Sequence, residues 1–270
     1  MEWICFNGEF LGSDEPILKA GNRSFKWGDG MFETMKVNEG RIHLEDWHFE
    51  RLLLSLQMLE FDTHDFFPAL IQQQVIDLCK KNNCLHRARV RLGIYRDAKN
   101  IPGYVIEAQA IDESHDHLNS RGFSLTIYPY ARKSMDGFAN LKTANFLPYV
   151  MASRYARAHD CDDALVLNAA NKIADASRAN IFTIKGNDLF TPALHQGCVN
   201  GVMRRLMIEE LPRFGYAVHQ VEMEEADLLE AEEVFLTNSI YGARWVGQFK
   251  TRTYTSHQVH SIYQKIFTGH

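Results

Sequence analysis

Apolar and polar positions along this chain alternate with a period of two in several short runs and with a helical period in a few longer ones. Trp3 to Leu11 sets the pair Asn7-Gly8 between two apolar segments, which predicts a hairpin. An alternating run that opens at Gly30 and stops at Asn38-Glu39-Gly40 predicts a strand. From Leu44 to Leu59, Leu44, Trp47, Leu52, Leu54, Leu56, Met58 and Leu59 are interleaved with Glu45, Asp46, His48, Glu50 and Arg51, predicting a helix. A second helix is expected over Phe66 to Asn82, then strands over Ala88–Tyr95 and Tyr104–Ala108, completing an α/β unit. Residues 112–121 are polar and carry no period, so they read as a linker between a domain at 1–111 and another at 122–270.

Past the linker, Asn145 is expected to cap a helix that has Pro148 in its first turn and runs to about His159. Hairpins follow at 164–175 and 181–192, and Asn200 reads as the cap of a helix opening at Gly201. An acidic helix near Glu222 to Glu232, a strand from Val234 to Ser239 and a helix from about Ser256 to Phe267 close the chain. No internal repeat or low-complexity tract interrupts this order.

Composition narrows the function classes. With 46% hydrophobic and 23% charged residues the chain is ordinary globular protein. Its net charge of -5, without a basic block, argues against a nucleic-acid surface, because phosphate neutralisation needs clustered Lys and Arg. No apolar run approaches the length of a membrane span, so no membrane partner is expected. The 5 cysteines are odd in number and scattered without C-x-x-C spacing, which suits reduced thiols in the cytoplasm. His115 and His117 lie in the polar linker without zinc-ligand spacing, and no metal is expected.

The candidate chemistry begins with Lys142, a single lysine among small, polar and apolar neighbours in Leu141–Leu147. If it is buried, its ammonium loses hydration and the neutral amine becomes a nucleophile toward carbonyls; a solvated lysine is the ordinary alternative. Arg51, on its helix, is either an anion ligand or a surface arginine. Gly201 permits close approach to the amides of residues 201–203, an arrangement that holds anions at some helix starts, although most capped helices bind nothing.

Four stretches in this order, Trp27-Gly28-Asp29-Gly30-Met31-Phe32-Glu33-Thr34, Leu44 to Leu52 with its H-x-x-R-L, Leu141-Lys142-Thr143-Ala144-Asn145, and the set Asn171–Phe182, Thr191-Pro192, Gly197–Arg204 and Glu233–Ser239, together resemble the class IV aminotransferase family, pyridoxal-phosphate enzymes of fold type IV. The resemblance spans nearly the whole chain. It implies an α/β (α+β) fold with a smaller N-terminal α/β domain, a larger β-rich C-terminal domain and a cofactor cleft between them. It also implies a homodimer with small-molecule amino-acid and 2-oxo-acid substrates. Lys142 matches the lysine that forms the Schiff base with pyridoxal 5'-phosphate and then shuttles a proton. Arg51 matches the phosphate-gripping arginine. Gly201, Val202 and Met203 match the helix start that gives amides to the same phosphate, Val199 the residue packed on the pyridine ring, and Asn238 and Ser239 further phosphate ligands.

Two positions depart from the pattern. Asp175 stands where the family usually has a glutamate opposite the pyridine nitrogen, one methylene shorter, and Met203 stands where many members have a threonine hydroxyl. Amino transfer between an amino acid of branched-chain type and a 2-oxo acid is placed first. Cleavage of 4-amino-4-deoxychorismate to 4-aminobenzoate and pyruvate is the alternative. A binding protein with impaired chemistry, suggested by Asp175 and Met203, is the second. Thr34 and Arg244 are candidates for the substrate, Arg244 through a carboxylate, with a surface arginine at a strand end as its plain alternative.

Overall fold

The computed structural model describes residues 2–97 and 100–268. The chain divides into two units, Met1–Glu113 with Leu141–Asn145, and Ser114–Asn140 with Phe146–His270. The division drawn from sequence had left residues 141–145 in the second domain. They join the first because their backbone pairs with one of its strands: Phe32 N donates to Lys142 O at 3.0 Å and Ala144 N to Gly30 O at 2.9 Å.

The first unit runs β1 (Trp3–Phe6), β2 (Glu9–Gly12), α1 (Arg23–Trp27), β3 (Gly30–Asn38), β4 (Arg41–Ile42), α2 (Glu45–Met58), α3 (Pro68–Lys81), β5 (Arg87–Arg96) and β6 (Pro102–Ala110). Its strands form an antiparallel sheet in the order β2-β1-β6-β5-β3-β4. Asn7 and Gly8 both take positive φ, 47° and 93°, as a two-residue turn matched to strand twist requires. Met31, Met35 and Val37 of β3 and Val90, Leu92 and Ile94 of β5 point to one face, where they pack with Leu52 and Leu56 of α2 and Ile71, Val75 and Leu78 of α3. Helix α1 has no counterpart in the hydrophobic pattern because it buries none of its residues. Asn22 caps it, accepting from Phe25 N, and Gly28 ends it in the left-handed region.

The second unit runs β7 (Phe123–Lys133), α4 (Leu147–Ala158), β8 (Asp163–Asn168), β9 (Ile173–Ala176), β10 (Asn180–Lys185), β11 (Asp188–Pro192), α5 (Val202–Glu210), β12 (Ala217–Val221), α6 (Glu225–Glu230), β13 (Glu233–Asn238), β14 (Gly242–Phe249), β15 (Arg252–Thr253) and α7 (His257–Tyr263). The sheet order is β12-β11-β10-β13-β14-β7-β8-β9, with β15 beside β14. Strands β7 and β8 are parallel and so need a crossover, which contains α4. That helix lays Tyr149, Ala152 and Ala156 on Tyr128, Ala164 and Val166. The β7–β8 register shifts between Ile127 and Arg132, an irregularity just before Lys133.

Two expected caps are not used. Helix α4 starts behind Phe146 without a side-chain cap, and the Asn145 amide instead donates to Gly28 O at 3.4 Å. Helix α5 starts behind Gly201, not Asn200; the Asn200 backbone N–H is spent on Asn140 O at 3.0 Å. Among the described residues no helix is long and apolar enough to cross a membrane, and no group of three or more His, Cys, Asp or Glu could hold a metal ion.

Helix α7 shows how the second unit holds its last element. Its first amides are met by the buried carboxylate of Glu233, which accepts from Gln258 N at 3.0 Å and Val259 N at 2.9 Å. Glu233→Ala is expected to lower unfolding stability by about 1–3 kcal/mol through the lost cap and its orphaned amides. A urea denaturation midpoint equal to the wild-type value would refute this.

Candidate active site

The alternation of β3 places Glu33 on the core-facing side of the sheet, where a carboxylate is tolerated only with partners. Helix α2 supplies them from residues three apart on one face. Arg51 grips Glu33 by a fork, Nε to Oε1 at 2.7 Å and Nη2 to Oε2 at 2.5 Å. The His48 Nδ1 lies 2.8 Å from Oε2, and both Glu33 and His48 are fully buried. Burial pushes the Glu33 carboxyl up, but the Arg51 charge and the His48 hydrogen bond outweigh it and hold it down at about 2. Arg51 is therefore an oriented, largely covered guanidinium rather than a loose surface one.

The opposite face of β3 carries Phe32, Thr34 and Lys36. Lys142, half-buried, holds its Nζ 4.4 Å from the centre of the Phe32 ring. The Arg91 guanidinium of β5, directly across from Thr34 in the register, lies 4.9 Å from the same ring centre. Its Nη1 also donates to Glu107 Oε2 of β6 at 3.3 Å, a long contact open to solvent. Sequence reasoning passed over Arg91. The signal was there in the β5 alternation, which sends Arg89 and Arg91 to the face opposite Val90 and Leu92. The first unit thus gathers Lys142 and Arg91 around one aromatic ring, on the face of β3 that also carries Thr34.

In the second unit Asp175, on β9, is 2% exposed and meets four donors. Its Oδ2 accepts from Tyr149 Oη at 2.7 Å, Val199 N at 3.0 Å and Lys133 Nζ at 3.1 Å. Its Oδ1 accepts from Asn180 Nδ2 at 2.8 Å, and the same amide nitrogen donates to Val199 O at 2.9 Å. Lys133 and Tyr149 were also missed, since nothing in the local sequence pairs them with residue 175. Val199 therefore sits in a loop bonded to Asp175 through both its N–H and, by way of Asn180, its carbonyl. Next along that loop, Gly201 has no room for a side chain: a Cβ there would lie 2.0 Å from Asn180 Oδ1. Helix α5 then opens without a side-chain cap, and Val202 and Met203 are buried.

Two predicted ligands prove to be structural. Arg244 is buried at 7% exposure, not at the surface. Its Nη1 donates to the carbonyls of His117, Tyr241 and Ala243, and its Nη2 to that of Ser114. A guanidinium so engaged ties residues 114–117 to β14 and is no carboxylate ligand. The Asn238 side chain is likewise committed to the backbone: Oδ1 accepts from Ile240 N and Tyr241 N, and Nδ2 donates to Arg178 O at 3.1 Å. Ser239, half-buried, follows it in the same turn.

The Glu33 pair carries a pH signature. With its folded value held at about 2 against an ordinary 4.5, Glu33 contributes stability that is complete above 4.5 and is lost as pH falls toward 2. Glu33→Gln is expected to flatten that stretch of the stability curve. At neutral pH it should cost about 3–5 kcal/mol, because the Arg51 charge loses its buried partner. Equal slopes for both proteins in urea unfolding between these pH values would contradict the assignment.

Comparison with known proteins places this geometry. Residues 30–249 match the model of the amino-transferase class IV family. The chain is 30% identical over 237 residues to aminodeoxychorismate lyase of Vibrio harveyi, covering 86% of this chain and 87% of that protein. Among solved structures it resembles the branched-chain amino acid aminotransferase of Escherichia coli, with a TM-score of 0.88 and 20% identity over 99% of this chain and 94% of that one. It also resembles the branched-chain aminotransferase of the archaeon Thermoproteus uzoniensis with norvaline, with a TM-score of 0.86 and 20% identity over 99% and 95% of the two chains. The family match covers most of the chain, and the mixed sheets and helices agree with these folds, so the chain belongs to the class IV amino-transferase family of enzymes.

Proposed function

We propose that this protein uses pyridoxal 5'-phosphate, held by Lys142, to break the Cα–H bond of a small anionic amine. The placement of Lys142 and Arg91 against the same Phe32 ring is the observation that carries this reading. It sets an amine capable of carbonyl chemistry beside a planar cation suited to a carboxylate. Bound pyridoxal phosphate would supply an electron-withdrawing ring conjugated to the substrate nitrogen. The chain supplies the rest. Lys142 takes the proton from the carbon bearing the amino group, Arg91 orients a substrate carboxylate, and Thr34 offers a hydroxyl in the same row.

Taken separately, each unit carries residues that would suit that cofactor. The Glu33 fork fixes the plane of the Arg51 guanidinium, a rigid group of five N–H donors whose geometry suits a phosphate. Within the second unit, the uncapped start of α5 would offer the amides of Val202 and Met203, approached over a glycine, to an anion. Met203 is 1% exposed and adds no hydroxyl. Ser239 brings a hydroxyl to the turn in which Asn238 is occupied. By the family resemblance, Val199 would pack on the ring and Asp175 would be its carboxylate partner.

Cleavage of aminodeoxychorismate comes first among the reactions, reversing the order drawn from sequence. The 30% identity to a lyase extends over most of both chains, whereas the 20% identity to branched-chain aminotransferases carries the fold alone. The cationic row of Lys36, Arg89 and Arg91 on the β3–β5 face also suits a dianionic substrate better than a branched-chain amino acid. In the lyase reaction the Cα–H electrons would form the new ring double bond, the electrons of the breaking ring C–O bond would leave with the enolpyruvyl oxygen, and protonation of the released enol at carbon would give pyruvate. In amino transfer Lys142 would move the same proton, but nothing would be expelled from the donor carbon skeleton; the amino group would pass to a 2-oxo acid whose carbonyl oxygen would replace it on the donor. A reducing compartment, the cytoplasm, suits the free cysteines Cys5, Cys79, Cys84, Cys161 and Cys198. A second copy of the chain is the partner suited to α4, whose Leu147 and Val150 are 68% and 48% exposed.

The purified protein incubated with aminodeoxychorismate should release 4-aminobenzoate and pyruvate, and Lys142→Ala should abolish this. Arg91→Met should raise KM roughly 10–100-fold, the worth of a charged hydrogen bond, with a smaller change in kcat. Amino transfer to 2-oxoglutarate without pyruvate release would install the aminotransferase instead. Full turnover by Lys142→Ala would end both readings.

A further inference from the structure

The Asp175 carboxylate lies in a more positive setting than a lone counter-ion for a ring nitrogen would. An ionised carboxylate offers about four lone-pair positions. Tyr149, Val199 and Lys133 converge on Oδ2, and among the described residues Oδ1 accepts from Asn180 alone. Lys133 is nearly as buried as its partner, with 9% of its side chain exposed against 3% for Asp175. It reaches this point from the end of β7 behind the register shift, so the cation comes from a different strand than the carboxylate.

Among the described residues, the titratable groups that feel the Asp175 charge add no second negative charge. Arg204, 2% exposed on α5, donates to Pro192 O and Gln220 Oε1 and feels the Asp175 charge from there. Burial and then the Asp175 charge push the Tyr149 hydroxyl well up, and they push the Cys198 thiol up to about 12, so both stay neutral. One carboxylate is thus already matched by Lys133, with Arg204 nearby as a further cation. A protonated ring nitrogen on Oδ1 would be one more positive charge on the same carboxylate, disfavoured by Coulomb repulsion in a buried site.

We propose that Lys133 is a tuning residue for the cofactor: by pairing with Asp175 it weakens the hold of that carboxylate on the ring-nitrogen proton. This rests on the reading of the site as a pyridoxal-phosphate site with Asp175 opposite the ring nitrogen. The short aspartate and the buried lysine then form one device. Tyr149 and Asn180 keep the carboxylate in place, and Lys133 sets how much of its charge the ring nitrogen feels.

The test uses the whole protein loaded with pyridoxal 5'-phosphate labelled with nitrogen-15 in the ring, whose chemical shift reports protonation independently of turnover. In the wild type the ring nitrogen should titrate between about pH 5 and 9, the range open to a ring nitrogen whose counter-ion is shared. In Lys133→Met the midpoint should rise at least tenfold in proton affinity, and Lys133→Arg should restore the wild-type value. A ring nitrogen protonated across this whole range in the wild type overturns the proposal, as does a midpoint unmoved in Lys133→Met. The wild-type titration decides even if the methionine variant fails to fold. Failure of the wild type to bind the cofactor at all would instead remove the underlying reading of the site.

Discussion

Backbone pairing between Met31 and Thr143 is the constraint on which the position of Lys142 depends. Residues 141–145 are far in sequence from the sheet they join, and two main-chain hydrogen bonds to β3 hold them there. The approach is close. At Gly30 a Cβ would lie 2.2 Å from Ile94 O, so the residue whose carbonyl receives Ala144 is one that only glycine can fill without displacing β5. Strand β3 is thereby used on both faces. One side seals Met31, Glu33 and Met35 into the core, and the other presents Phe32 and Thr34 beside the lysine. A main-chain anchor of this kind places Lys142 without drawing on its side chain.

Both units bury a carboxylate and neutralise it with a buried cation from another element. Glu33 takes Arg51 from a helix, and Asp175 takes Lys133 from a strand end. Removing one member of either pair would strand the other in a medium that solvates charge poorly, at a cost of about 3–5 kcal/mol. The pairs differ in what they leave available. The Glu33 fork fixes the plane of a guanidinium. The Asp175 cluster fixes a carboxylate among four donors from four other elements or loops.

Residue type did not decide role. Arg51, Arg91 and Arg244 all stand in patterned elements, yet one is braced by a carboxylate, one lies over an aromatic ring and one is consumed by carbonyls. Asn145, Asn200 and Asn238 are each good caps by chemistry, and none caps a helix here. Where an asparagine caps depends on which backbone groups the tertiary fold leaves unpaired. At α4 and α5 the chain reaches the helix one residue later than the cap chemistry suggests.

The sequence by itself determined the family and most of the elements, though not α1, β12 or β14. Period-two runs marked β3, β5 and β6, the longer periodic stretches marked α2 and α3, and the motifs around Gly28, Arg51, Lys142 and Asp175 marked the candidate site. These features are local, governed by alternation, turn chemistry and spacing, and can be read along one dimension. The tertiary structure alone decided which groups meet: Lys142 with β3, Arg91 with Phe32, Lys133 and Tyr149 with Asp175, and Arg244 with the carbonyls of residues 114–117. Such pairings join residues tens of positions apart. They follow from strand register and from the need to satisfy every buried polar group, and neither leaves a local pattern in the chain.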